Sequence, residues 1–205
     1  MAIIYSWDIE TGGLNPNNCS VLEIGIIKYD TINPSSFEDS PKFHCLVDNP
    51  TVSGSAFALN MNARIFRQLI DKDYKGLILK PHEVIDHIYE WLRVQGVGEN
   101  ESINVAGKNF ASFDKRFLEK LPNWNKILIK QRIFDPAILF FDPAKDEYLP
   151  SLSDCKKRAD INGIITHNAL EDAWDVIQVL DHKFAWSIQI DKLLDEALPI
   201  DVHNK

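Results

Sequence analysis

The hydrophobic and polar positions in the first fifty residues follow the pattern of β-strands. Residues 2–8 and 21–29 are nearly continuous apolar runs, and the Asn-Pro-Asn-Asn sequence at 15–18 supplies a turn between them. Residues 42–48 alternate apolar and polar side chains, as a strand with one buried face does. Three such segments in succession predict an antiparallel meander.

The remainder of the chain alternates helical and strand patterns. In residues 81–95, apolar side chains recur at helical spacing from Val84 to Leu92. The same criteria predict strands at 102–106 and 132–135, and helices at 55–60, 62–71, 111–121, 136–141, 151–159 and 168–185. Strands first, followed by strands that alternate with helices, predict an α/β fold with a mixed sheet flanked by helices. No pattern places the tail after Asp191.

The length and composition agree with one compact domain. The chain has 205 residues, 45% of them hydrophobic, which is enough for a substantial core. No apolar run approaches the roughly 20 residues that a membrane span needs, and the first residues lack the basic region and cleavage site of a signal peptide. Cys19, Cys45 and Cys155 are scattered, which favours reduced thiols over disulfides or a zinc site. We therefore expect a cytoplasmic protein with no membrane partner.

The net charge of −8 argues at first against a nucleic-acid partner, because phosphates repel an acidic surface. The charge is unevenly distributed, however. The segment from Lys108 to Arg132 carries seven basic residues against two acidic ones, Asp114 and Glu119. A cluster of carboxylates that binds cations also contributes negative charge that the cations neutralise. The overall charge is therefore compatible with a nucleic-acid partner.

Two carboxylates stand at the end of the first predicted strand. Asp8 and Glu10 are two residues apart, so the alternation of a strand directs both side chains to the same side. Carboxylates placed together repel unless a cation lies between them or one is protonated. A lone Asp-x-Glu pair is more often an ordinary strand end that reaches solvent. The Thr11-Gly12-Gly13 turn that follows, however, leaves room for a ligand near the backbone.

Three more candidate residues come later in the chain. Asp114 follows a predicted strand and lies in the first turn of a predicted helix, where the helix dipole favours any carboxylate. The sequence from Asn168 to Glu171 fits a capping box, with Asn168 as the N-cap of the last helix. His167 and Asp172 then occupy the N′ and N4 positions, which such helix starts bring into contact. Local geometry therefore predicts an imidazole beside a carboxylate.

These side chains suit a site for two divalent metal ions. Hard cations such as Mg²⁺ or Mn²⁺ prefer carboxylate oxygens and water, and none of the candidate residues is a cysteine. Two such ions roughly 3.5–4 Å apart bind a phosphodiester from both sides, activating a water on one side and stabilising the leaving 3′ oxygen on the other. A neutral histidine near that water is suited to act as general base at neutral pH.

Three segments of the chain together match the motif pattern of a known family. Residues 8–14 read Asp-Ile-Glu-Thr-Gly-Gly-Leu, residues 109–118 begin Asn-Phe-Ala-Ser-Phe-Asp, and residues 167–173 read His-Asn-Ala-Leu-Glu-Asp-Ala. They resemble, in order, the D-x-E-T-T-G-L, N-x-x-x-F-D-x-x-F-L and H-x-A-x-x-D-A motifs of the DnaQ-like 3′–5′ exonucleases, the last being typical of the DEDDh subgroup. Each motif alone is weak, but the ordered set is specific. The match runs from about residue 2 to 182.

The resemblance implies a ribonuclease H-like fold, with a five-stranded mixed sheet flanked by helices. The corresponding DEDDh exonuclease domain would occupy residues 1–185, and residues 186–205 would form a C-terminal extension of unknown role. The resemblance also implies two Mg²⁺ or Mn²⁺ ions in the site. All the chemical residues of the family pattern are present, which argues against an inactive relative.

The resemblance assigns a role to each residue of the candidate site. Asp8, Glu10 and Asp172 would bind the first metal ion, and Asp8 would bridge to the second. Asp114 would act on the metals largely through water. His167 would be the general base.

The resemblance also implies contacts to the substrate. The residues that follow the first two acids hold the 3′-terminal nucleotide in this family, which indicates Thr11 and Leu14 here, with Leu14 wedged against the terminal base. Asn109 would contact the substrate or fix the loop that carries the motif's aspartate. Met61 and Asn62 fall in the stretch after the third strand, which lines the base pocket.

One position departs from the family pattern. Gly12 stands where a second threonine is usual, which removes a hydroxyl group beside the substrate. We expect this change to alter substrate binding and not to abolish activity.

The leading hypothesis is a metal-dependent 3′–5′ exonuclease that releases nucleoside 5′-monophosphates from a single-stranded DNA 3′ end, with strong salt dependence. One alternative is an RNA-directed exoribonuclease of the same family, because no residue here identifies a contact to the ribose 2′-OH. Another is a non-catalytic subunit that docks onto a polymerase or repair complex. The complete carboxylate set argues against that subunit, since clustered charge is costly to keep without a metal.

Overall fold

The computed structural model describes residues 2–71, 74–163 and 165–197, with side chains described as far as residue 185. The strands are β1 (Ile3–Thr11), β2 (Val21–Asp30), β3 (Lys42–Val47), β4 (Leu77–Leu79) and β5 (Asn104–Ala106). The α-helices are α1 (Ala56–Met61), α2 (Ala63–Ile70), α3 (Val84–Val94), α4 (Asp114–Leu118), α5 (Pro136–Leu139), α6 (Leu152–Arg158) and α7 (Ala169–Ala197). A 3₁₀ turn spans Trp124–Lys126.

The described strands form one mixed sheet in the order β4-β3-β2-β1-β5. β1 pairs antiparallel with β2, and β2 pairs antiparallel with β3, so the predicted meander is confirmed. β5 lies parallel to β1, and β4 lies parallel to β3. The structure therefore confirms the predicted five-stranded mixed sheet flanked by helices.

The edge strand β4 is not among the elements predicted from the sequence, which include a strand at 132–135 instead. In the structure that segment contributes a single bridge, between Phe134 and Ala106, before the chain enters α5. Asp135 caps α5 with its side chain, and Pro136 has no N–H to continue a ladder. The prediction of a strand at 132–135 is therefore wrong. β4 gives no clear sequence signal because three residues are too few to show a period.

Helices cover both faces of the sheet, and β1 contributes side chains to each. Trp7 faces the larger core, which α3 and α4 close. Ser6 faces the opposite way and lies against α7, where its Oγ donates a 2.7 Å hydrogen bond to the Ala173 carbonyl. Asp8 and Glu10 continue the Ser6 face of the strand. Both acids therefore lie on the side of the sheet that α7 covers.

The fourth helix is shorter than predicted. It begins at Asp114 and not at residue 111, because Asn109 adopts a left-handed conformation (φ 59°) and turns occupy the residues that follow it. The carbonyl of Asn109 accepts the N–H groups of Ser112 and Phe113, which closes that turn.

The last helix is longer than predicted. α7 continues to Ala197, so the predicted boundary at residue 185 falls inside one continuous helix. Residues 198–205 of the predicted extension lie outside the described residues. Among the described helices, none combines the length and hydrophobicity that crossing a bilayer requires.

Candidate active site

The end of β1 carries the first two candidate acids. Asp8 keeps part of its surface open to solvent, whereas Glu10 is buried. The pairing of β1 with β2 shifts register between Glu10 and Thr11. Such an irregularity bends a strand and ends its regular ladder. The two acids therefore lie where the sheet opens.

The loop between β5 and α4 brings Asp114 to the same end of the sheet. β5 lies parallel to β1, so both strands end on one edge. The loop turns at Asn109, whose N–H donates to Asp135 Oδ2 at 3.0 Å. Asp114 is buried as the first residue of α4, and the Ile9 N–H donates a hydrogen bond to its carboxylate. Asn109 therefore orders the loop that carries Asp114.

The start of α7 supplies His167 and Asp172. Asn168 caps the helix as predicted, because its Oδ1 accepts the N–H groups of Leu170 and Glu171 at 3.1 and 3.2 Å. His167 precedes the cap and has a left-handed backbone, with φ 54°. Its side chain is exposed, whereas Asp172 is buried within the first turns of the helix.

Glu10, His167 and Asp172 converge from β1 and α7. A potential ligand atom from each lies within 4.8 Å of the other two. The Thr166 N–H donates to the Asp172 carboxylate, but Asp172 Oδ1 is buried without a hydrogen-bond partner among the described residues. A buried carboxylate oxygen without a partner is costly unless a cation completes its coordination.

Burial and the repulsion of nearby carboxylates raise the pKa of all four acids, and burial is the larger cause in each case. The pKa of Glu10 rises to about 7, that of Asp114 to about 8 and that of Asp172 to about 6. The pKa of Asp8 is raised well above its ordinary value by burial, then by the charges of Asp114 and Asp172. Nearby positive charge would reverse these shifts, so the cluster electrostatically favours a bound cation.

The cluster lies in an open cleft of about 440 Å³. Four of the predicted catalytic residues line it: Asp8, Glu10, His167 and Asp172. Three of the predicted substrate-binding residues also line it: Thr11, Leu14 and Met61. Asp114 is buried and does not contribute to the lining.

Two predicted substrate-binding residues lie outside the cleft lining. Asn62 is buried, and its Nδ2 donates to the Thr11 carbonyl at 3.2 Å. Burial raises the pKa of Glu10, and a hydrogen bond from Asn62 partly offsets that rise. Asn109 is exposed, and its Oδ1 accepts a 2.7 Å hydrogen bond from Lys108 Nζ. Asn62 thus stabilises the end of β1 through its hydrogen bond to the Thr11 carbonyl without lining the cleft.

Several residues of the cleft are not among those predicted from the sequence. Phe57 lines it and is 78% exposed, and Leu14, which also lines it, is 84% exposed. Phe113 packs against the larger core and also lines the cleft, with its ring centroid 5.1 Å from that of Phe117. Lys108 adds positive charge to the cleft. Its position at the start of the basic segment is the sequence feature that could have identified it as a cleft residue. An aromatic residue in a short helix carries no comparable signal of exposure.

No protein-family model matches the chain, and no curated protein matches it by sequence. Solved structures do match. The cell-death related nuclease CRN-4 superposes with a TM-score of 0.64 at 14% identity, over 91% of this chain and 64% of that one. The nuclease domain of 3′hExo, described as a DEDDh family member bound to rAMP, gives 0.62 at 14% identity, over 92% of each chain. E. coli exonuclease I, in complex with a dT13 oligonucleotide, gives 0.58 at 15% identity.

The shared architecture is that of the ribonuclease H-like exonucleases, DEDDh family members included. The predicted fold is therefore confirmed. At these identities the likeness concerns the fold. The match covers 64% of CRN-4 and 43% of exonuclease I, so both of those proteins contain regions beyond the shared domain.

Proposed function

We propose that this chain is a metal-dependent 3′–5′ exonuclease that releases nucleoside 5′-monophosphates from the 3′ end of DNA or RNA. The observation that carries the proposal is the convergence of Glu10, His167 and Asp172, with Asp8 lining the same cleft. These are residues of the first and third motifs, brought together from opposite ends of the chain. The fold shared with known exonucleases supports the same activity.

The side chains present fit divalent cations. Asp8, Glu10, Asp114 and Asp172 would hold two Mg²⁺ or Mn²⁺ ions, because hard cations prefer carboxylate oxygens. Asp172 Oδ1, which has no hydrogen-bond partner in the part of the chain that the structure describes, and the raised pKa of each acid support this assignment. When bound, the ions supply neutralising charge and make a bound water more acidic.

His167 takes the proton from the attacking water in this proposal. Its imidazole is exposed in the cleft and lies near Glu10 and Asp172, which would bind the metals. The water oxygen bonds to phosphorus and the bond between phosphorus and the 3′ oxygen of the preceding nucleotide breaks. That oxygen takes a proton from solvent and leaves as a hydroxyl, and His167 returns its proton to solvent. Histidine side chains are suited to such a transfer near neutral pH.

The cleft walls suit a single-stranded end. Leu14 and Phe57 expose large apolar surfaces on which the terminal base can stack. Thr11 and Met61 line the space beside them, and Lys108 offers a cation to a phosphate. The solved structures include one with a dT13 oligonucleotide and one with rAMP, so the proposal covers both kinds of strand.

The test is a gel assay with matched 5′-labelled single-stranded DNA and RNA, in Mg²⁺, Mn²⁺ or EDTA. We expect a ladder that shortens from the 3′ end, is abolished by EDTA and is abolished by Asp8→Ala. Glu90→Ala, which removes an exposed carboxylate from α3, is the matched control and keeps full activity. The relative rates on the two strands identify the substrate. A folded protein that cleaves neither strand with either metal would contradict the proposal.

A further inference from the structure

A carboxylate lies buried near the start of β2, where its sequence neighbours are apolar. Glu23 is fully buried, and in the sheet it pairs directly with Glu10 of β1. Like charges opposite one another on neighbouring strands destabilise a sheet. A buried charge also needs hydrogen bonds and an opposite charge to replace its hydration. Glu23 therefore requires partners from elsewhere in the fold.

Those partners come from α2, β3 and α7. Arg64 binds with both arms of its guanidinium group: Nη1 lies 3.0 Å from Glu23 Oε1, and Nη2 donates to Oε2. His44 Nε2 lies 2.7 Å from Oε1, and the Ala169 N–H donates to Oε2 at 3.2 Å. Burial alone raises the pKa of Glu23, but the hydrogen bonds with His44 and Arg64 outweigh it and lower the pKa. The two bonds to Glu23 hold the guanidinium group of Arg64 in one orientation.

Arg64 makes two further hydrogen bonds. One stays within α2, where Nη1 donates to Gln68 Oε1 at 3.3 Å, and the other reaches the candidate site. Arg64 Nη2 donates to the His167 carbonyl at 2.8 Å. The left-handed conformation of His167 is costly for a residue with a Cβ and persists only where neighbours impose it. Arg64 holds this segment at the His167 carbonyl, and Glu23 holds it at the Ala169 N–H.

The close approach of α7 to β2 makes this arrangement possible. A Cβ at Gly25 would lie 2.4 Å from the Ala169 carbonyl carbon, so the start of α7 rests directly on the strand that carries Glu23. Arg64 itself is absent from the cleft lining. Its contact with the site therefore passes through the peptide that it binds, and its charge also lowers the pKa of Glu10.

We propose that Arg64 is a positioning residue: anchored on Glu23, it holds the His167 peptide so that the imidazole faces Glu10 and Asp172. The inference rests on the proposed function, in which His167 accepts the proton of the attacking water. Misplacing a reacting group by about 1 Å costs on the order of 100-fold in rate. Loss of the Arg64 contact therefore lowers kcat and leaves KM for the strand almost unchanged, because the walls of the cleft are not disturbed.

Two variants test the proposal. Arg64→Lys keeps a positive charge for Glu23 but loses the planar fork that reaches two acceptors at once. Glu23→Gln combined with Arg64→Met removes both charges together, so it leaves no unpaired buried charge if the lysine variant folds poorly. Arg67→Lys, at an exposed position on the same helix, is the matched control.

The decisive measurement is kcat and KM for each variant in the wild-type and His167→Ala backgrounds. In the wild-type background we expect kcat to fall roughly 10- to 100-fold with KM within about twofold. In the His167→Ala background we expect a further loss of less than about twofold, because residues that act as a unit are not additive. An equal loss in both backgrounds, or an unchanged kcat in the first, would overturn the proposal.

A second readout keeps this inference separate from the proposed activity. The ring signals of His167 in ¹H–¹³C NMR spectra, and hydrogen exchange at the Ala169 amide, are measurable in protein that cleaves nothing. We expect both test variants to shift the ring signals and to accelerate exchange at least tenfold, while Arg67→Lys does neither. If the wild-type protein is inactive but the two variants show these changes, the proposed function is contradicted and the positioning role is supported. Unchanged signals in both variants would defeat the positioning role whatever the activity.

Discussion

The backbones of Gly12 and Gly54 are in direct contact. A Cβ at Gly12 would lie 2.2 Å from the Ser53 carbonyl oxygen and 3.1 Å from Gly54 Cα, and a Cβ at Gly54 would lie 2.2 Å from the Gly12 carbonyl oxygen. The Ser55 N–H also donates to the Gly12 carbonyl at 2.8 Å, and Ser55 caps α1. The departure of Gly12 from the family's usual threonine thus has a steric reason, because the chain that leads into α1 occupies the place of a side chain.

Gly12→Ala is expected to destabilise the protein. The new methyl group has backbone atoms on its path and no flexible side chain to displace, so we expect a loss of about 1–3 kcal/mol in the free energy of unfolding. Urea denaturation measures it. Gly98→Ala is the control, since its Cβ would meet only the Glu101 side chain, with Oε2 at 3.1 Å. Equal stability of the two variants would contradict the close contact.

The metal-free protein is expected to lose stability as the pH rises from about 4 to about 8. The pKa of Glu10 is about 7, that of Asp114 about 8 and that of Asp172 about 6 in the folded protein, against ordinary values of 4.5 for glutamate and 3.8 for aspartate. The folded state therefore holds protons that the unfolded chain has released, and stability falls across that window. Thermal unfolding in EDTA at several pH values measures the slope.

Divalent cations are expected to remove most of that pH dependence. Bound Mg²⁺ or Mn²⁺ neutralises the ionised carboxylates, so Tm rises on addition of metal, and it rises more at pH 8 than at pH 5. Asp8→Asn removes one charge from the cluster. It is expected to reduce both the dependence of Tm on pH in EDTA and the rise in Tm on addition of metal. A Tm that is independent of metal at pH 8 would contradict the metal assignment.

Removing one partner of the Lys156–Asp175 ion pair is expected to destabilise the protein more than replacing both residues with apolar ones. The two side chains are buried, with Nζ 2.6 Å from Oδ2, and burial raises the pKa of Asp175 despite the lysine. Lys156→Met leaves a buried carboxylate without its partner, which costs about 3–5 kcal/mol. Lys156→Met with Asp175→Leu is expected to recover most of that loss in chemical denaturation. A double variant less stable than the single one would contradict this account.

Phe57 and Leu14 are expected to contribute to strand binding and little to stability. Both side chains are largely exposed, so Phe57→Ala and Leu14→Ala cost little free energy of unfolding. Loss of a stacking surface weakens binding by about 1–3 kcal/mol per base. Fluorescence anisotropy with a labelled oligonucleotide and Asp8→Ala protein measures the effect without cleavage. Ile70→Ala, 81% exposed on α2 and outside the cleft lining, is the control and keeps full affinity.

The elements that the sequence predicts well obey local rules. The apolar runs of β1 and β2 and the Asn168 cap each depend on residues within a few positions of one another. The capping geometry at Asn168 also anticipates that His167 and Asp172 lie close together, as they do. Such signals survive in a single sequence because the interactions that produce them are short in range.

The elements that the sequence misses depend on distant partners. β4 exists because β3 is available to pair with it, and its three residues show no period of their own. The 132–135 segment carries strand-forming residues but is diverted by the Asp135 cap and Pro136. The charge of Glu23 in an otherwise apolar strand is unusual, but the sequence does not show that Arg64 forms an ion pair with it.

The sequence by itself determined which residues carry the candidate chemistry, since strand alternation and helix capping orient Asp8, Glu10, His167 and Asp172 by local geometry. Only the tertiary structure decided that these residues meet in one cleft and that the pKa values of the three acids among them are raised. It also decided that Arg64 links β2 to the His167 peptide across 103 positions of the chain. The physical reason is that burial and long-range hydrogen bonding belong to the packed fold, and no short stretch of sequence contains both partners.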